Sequence, residues 1–73
     1  MSYLTIELKT NDQGGTAAEV LYSGVDLRVA EQKYHTTLAT AATSGRPCHA
    51  AIILQGDGMP IEYKAYINET ETA

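Results

Sequence analysis

The sequence predicts an α+β fold in the order ββαββ, one helix packed on a four-stranded, mostly antiparallel sheet. Three observations carry this. Four short segments alternate apolar and polar residues or are rich in β-branched and aromatic ones. They fall into two pairs, each joined by a glycine-containing turn. Between the pairs lies a longer stretch whose apolar residues recur every three or four positions.

Tyr3 to Lys9 alternates with period two: Leu4, Ile6 and Leu8 share one face, and Tyr3, Thr5, Glu7 and Lys9 share the other. Thr10 to Thr16 is turn chemistry, with Asn, Asp and two glycines. Ala17 to Tyr22 reads as the returning strand, with Ala18, Val20 and Tyr22 facing in and Glu19 outward. Ser23 with Asp26 has capping-box spacing, and Asp26 is itself a rival N-cap. The helix then runs from near Val25 to about Thr43, with Leu27, Ala30, Tyr34, Leu38 and Ala41 as its apolar stripe. Ser44-Gly45 followed by Pro47 stops it.

Cys48 to Gln55 is a strand with Cys48, Ala50, Ile52 and Leu54 on one face and His49, Ala51, Ile53 and Gln55 on the other. Gly56-Asp57-Gly58 is a hairpin turn, and Ile61 to Ile67 closes the sheet behind Pro60, which suits the start of an edge strand. The chain is one domain, 1–73, with 68–73 as a polar, flexible tail.

A single helix covers one face of such a sheet. This phasing leaves a mixed second face, on which Tyr3, Ala51, Ile53 and Tyr66 sit beside Thr5, Glu7, His49 and Lys64. A solvated face and an interface, homodimeric or with a partner, are the alternatives. The thin core favours self-association: 73 residues bury only about 60% of the unfolded chain's surface, ten of them are Ala, and there is no Trp or Phe.

Nine acids against five bases give a net charge of −4, which argues against nucleic acid, since that needs clustered Lys and Arg. No apolar run approaches the ~20 residues of a membrane span, and the N-terminus lacks the basic and apolar regions of a signal peptide. One cysteine excludes an internal disulfide and a cysteine-rich zinc site. The expectation is a soluble, cytoplasmic, acidic domain.

Catalytic constellations are missing. Cys48 and His49 are neighbours in a strand and so point to opposite faces. Glu31 and His35 stand at i and i+4, but two donors at this spacing more often form a solvated pair than a metal site. The glycines match no phosphate loop. The sequence therefore implies no enzyme, no metal and no cofactor. Thr43, Ser44, Arg46 and His49, with His35 on the helix, form the candidate contacts for a small anionic ligand. The competing account of Arg46 is a cation that favours a helix C-terminus.

The pattern Asp26-x3-Ala30-x3-Tyr34-His35-x2-Leu38-Ala39, with its Lys33-Tyr34-His35 step and a following short-turn hairpin, resembles small hairpin-helix-hairpin proteins of bacterial prophages and mobile elements. The resemblance spans most of the chain. It implies a counter-defence role of the kind filled by anti-CRISPR proteins and by proteins that sequester signalling nucleotides.

Three functions are expected. The first is a non-enzymatic acidic protein that binds a host defence component through Tyr3, Glu7, Glu19, Ile53, Asp57, Glu62 and Tyr66, as a homodimer or higher oligomer, without direct nucleic-acid or membrane contact. The second is an oligomer that sequesters a nucleotide-like ligand through His35, Thr43, Ser44, Arg46 and His49. The third is a structural accessory protein.

Overall fold

The structure is a computed structural model and describes residues 1–68. The chain forms β1 (Tyr3–Thr10), β2 (Thr16–Gly24), α1 (Leu27–Ala41), β3 (Cys48–Gln55) and β4 (Pro60–Ile67). The four strands make one antiparallel sheet in the order β2-β1-β3-β4, with α1 lying mainly over the central strands β1 and β3. This is the ββαββ α+β fold that the sequence predicts.

Each turn has a local cause. In the first hairpin the Asn11 side-chain oxygen accepts from the N–H groups of Gln13 and Gly15, at 3.0 and 2.8 Å, and Gly14 takes φ +84°. In the second, Gly58 takes φ +92° and donates its N–H to Gln55, while the Asp57 carboxylate accepts from the Met59 N–H. Both glycines occupy the left-handed region, which side chains with a Cβ resist. Asp26, not Ser23, caps the helix: its carboxylate accepts from the Arg28 N–H at 2.9 Å. Such a cap stabilises a helix by about 1 kcal/mol. The helix is shorter than the periodicity suggests, ending at Ala41, with Ala42 as its C-cap.

The largest difference from the sequence reading is the side of the sheet that α1 covers. Thr5 and Ile53 are fully buried, and the Thr5 hydroxyl donates to the Ala30 carbonyl at 2.9 Å. Ala30, Tyr34, Leu38, Ala51 and Ile53 form the core cluster, with Tyr3, Tyr22 and Tyr66 packed around it. The helix thus lies on the mixed face, the one that alternation alone leaves without a cover.

The buried stripe of α1 explains the choice. It comprises Ala30, Tyr34, Thr37, Leu38 and Ala41, while Leu27 is exposed. Small residues on both sides let helix and sheet approach closely, and the Thr5 hydroxyl finds an acceptor only at that distance. A bulge between Thr5 and Ile6 on the β1–β2 ladder, with Leu21 as the extra residue, moves Tyr22 to the helix side. Ala18 and Val20 stay on the other. The three therefore do not share a face.

Asn68 is held in place: its N–H donates to Pro47 at 2.8 Å and its side-chain amide to Ala41 at 3.1 Å. It does not belong to a loose tail; positions 69–73 lie outside the described residues.

Candidate functional site

With α1 on one side, strand alternation places every apolar β1 residue except Tyr3 on the other. Cross-strand register orders that open face into rows. Val20, Ile6, Ile52 and Tyr63 form one row across all four strands. Ala18, Leu8, Ala50 and Ala65 form the next, and Ser23, Leu4, Leu54 and Pro60 lie on the far side of the first. Cys48 pairs with Ile67 at one end. None of these residues carries a formal charge.

On this face Val20 is 58%, Tyr63 60% and Ile67 65% exposed, with Leu4, Ile6, Leu8, Ile52 and Leu54 half-buried and Ala50 buried. An antiparallel sheet with one solvated face normally keeps that face polar. Here the charged strand residues lie under or beside the helix instead, in rows such as Glu19, Glu7, Ala51 and Lys64. Period two groups the open-face residues correctly, but their assignment to the core is overturned. The signal that identifies them as surface is the lack of bulk in the helix stripe, which has too little apolar area to cover the three leucines and two isoleucines of β1 and β3 on this face.

The interface set expected from the sequence does not form one surface. Ile53 is fully buried, and Tyr3 and Tyr66 pack against the core. Glu7 lies inward, its Oε2 2.6 Å from the Nε2 of the buried His49 and its Oε1 3.8 Å from the Lys9 ammonium. Glu62 lies against α1 beside Glu31, while Glu19 and Asp57 are exposed at separate places. Ile53 therefore cannot serve as a contact, and the acids do not make one acidic face.

The ligand contacts expected from the sequence do not converge either. Arg46 donates through Nη1 to the Thr10 carbonyl and to Asp12 Oδ1, both at 3.1 Å, tying the α1–β3 connection to the first hairpin turn. A cleft of about 180 Å³ lies there, lined by Lys9, Thr10, Asn11, Asp12, Gln13, Ala17 and Arg46. It falls below the ~300 Å³ at which ligand pockets begin, and Asp12 already balances the Arg46 charge. His49 is enclosed with Glu7, and Thr43 is exposed. His35 sits about 12 Å along the helix from Thr43, at ~1.5 Å per residue.

His35 instead meets two carboxylates. Its Nε2 lies 3.4 Å from Glu31 Oε1, and Glu62 on β4 completes the group. The hydrogen bond that Glu62 shares with Glu31 holds its carboxyl above the ordinary glutamic range, helped by burial and the Glu31 charge and opposed by His35. Burial likewise pushes the neighbouring Tyr34 phenol up, with the Glu62 and Glu31 charges adding to it.

Among the described residues, no helix is long and apolar enough to cross a membrane. Comparison with family models, with curated proteins and with solved structures finds no match to this chain.

Proposed function

We propose that this chain is a non-enzymatic interaction protein that works as a homodimer, with the open sheet faces of two copies packed against each other. The observation that carries it is the row Val20–Ile6–Ile52–Tyr63 and its flanking rows, an uncharged apolar surface spanning every strand.

Charge selects the occupant. Each copy carries a net charge of −4, so two copies repel wherever acids oppose acids. A two-fold contact sets the same patch against itself, and the open face brings no like charges together. Area agrees. Four strands about 4.8 Å apart, each rising ~3.3 Å per residue over eight residues, make a plane of roughly 500 Å². Two such faces bury about 1,000 Å², the size at which specific interfaces begin. Two sheets about 10 Å apart then sandwich a second core.

Native mass spectrometry and sedimentation of the full chain test this directly. The expected mass is twice the 7.9 kDa of one chain. A chain that stays monomeric at 100 µM refutes it.

The resemblance to phage and mobile-element proteins supports a host defence component as the partner of the dimer's outer surface, where Glu19 and Asp57 are exposed. Reversing both charges then abolishes capture of an effector of the CRISPR class while the dimer mass stays the same. Unchanged capture, or no capture by the wild type, rejects that assignment.

A further inference from the structure

The Glu31, His35 and Glu62 cluster lies on the helix side of the sheet, remote from the open face. Each single chain holds it complete, so its chemistry is independent of dimerisation. The ligand-type atoms of the three side chains lie within 4.8 Å of one another. Glu31 and His35 come from successive turns of α1, and Glu62 from the helix-facing side of β4, so the fold supplies a third donor to a pair that is ordinary in sequence.

Two observations point to a cation rather than to a set of solvated side chains. Two carboxyl groups and an imidazole converge here, and among the described residues neither Glu31 nor Glu62 pairs with a Lys or Arg. Glu31 Oε1 is buried as an atom, makes no hydrogen bond among the described residues, and faces the His35 Nε2 at 3.4 Å. Lys64, the nearest basic residue along β4, lies over the Tyr66 ring at 5.0 Å from its centroid.

We propose that Glu31, His35 and Glu62 bind one first-row divalent cation, of the class that accepts one imidazole and two carboxylates, with Zn²⁺ as the representative ion. Three protein donors leave at least one position for water, the arrangement of an open site.

The test is calorimetric titration of the metal-free full chain with Zn²⁺ at pH 7.5, with Co²⁺ absorption as a second probe. The expected result is one Zn²⁺ per chain, with visible Co²⁺ bands. Glu62→Gln and His35→Ala should each weaken binding at least tenfold. Both positions are at least partly exposed, and circular dichroism checks that both variants stay folded. Absence of binding below millimolar Zn²⁺, or equal binding by wild type and both variants, overturns the proposal.

Discussion

Ile52→Glu should turn the dimer into a folded monomer. Ile52 stands at the centre of the open face, opposite Ile6 on β1 and Tyr63 on β4. In the monomer it is only half-buried, so a carboxylate there keeps its water and the sheet survives. In the dimer the same carboxylate enters an apolar layer without a partner, at a cost of about 3 kcal/mol. Two-fold symmetry introduces it twice. The total of about 6 kcal/mol raises the dissociation constant roughly ten-thousandfold, since ~1.4 kcal/mol is a factor of ten. Sedimentation equilibrium measures this, with circular dichroism as the check on folding. Tyr63→Glu, on edge strand β4 and largely exposed in one copy, is the variant least able to disturb the monomer. A dimer of undiminished strength in both variants sinks the face-to-face arrangement.

The next residue behaves in the opposite way. Ile53→Ala should cost the chain a large part of its stability without any selective effect on association. Ile53 is fully buried in the cluster with Tyr34, Leu38 and Ala30 of the helix, beside Thr5 of β1. Removing its outer carbons leaves a cavity under the helix, costing about 3 kcal/mol in sites of this kind. A domain of this size has about 7 kcal/mol in all, at roughly 0.1 kcal/mol per residue. Urea unfolding at one fixed protein concentration measures the loss, because a dimer's stability depends on concentration. A loss under about 1 kcal/mol, the middle of the range for single substitutions, would mean that the helix does not rest where the structure places it. Adjacent isoleucines thus separate folding from assembly: one mutation lowers the unfolding midpoint and the other lowers the mass.

Strand period explains why the elements were legible and the faces were not. Alternation shows that Leu4, Ile6 and Leu8 share a side, and that Thr5, Glu7 and Lys9 share the other. It carries no information about which side a helix occupies. The usual assumption sends the more apolar set inward. That assumption fails here because the chain has a single helix whose inward stripe, Ala30, Tyr34, Thr37, Leu38 and Ala41, is small and partly polar. Such a stripe fits Thr5 and Ala51 better than a layer of leucines. The bulge beside Ile6 was illegible for a related reason: Leu21 looks like any strand residue until the ladder is counted. Both glycine turns, by contrast, depend on neighbours a few positions away, so local sequence was enough, whereas it left the cap open between Ser23 and Asp26. Glu31 and His35 were visible as a pair, but Glu62 joins them only once β4 lies beside the helix.

The strand order has a kinetic consequence. Val20 and Ile6 belong to the N-terminal hairpin, and Ile52 and Tyr63 to the C-terminal one. The row they form is joined only by the β1–β3 ladder, which pairs residues far apart in the chain, from Lys9 with His49 at one end to Tyr3 with Gln55 at the other. Each hairpin can zip up quickly, whereas the closure between them bears the entropy of a long loop and should limit the rate. Until it happens, neither half of the chain owns a docking surface. Assembly therefore waits on completion of the whole sheet. A refolding trace should show a first phase independent of protein concentration, followed by a second that accelerates with it, and a nascent or clipped chain should fail to enter the proposed dimer.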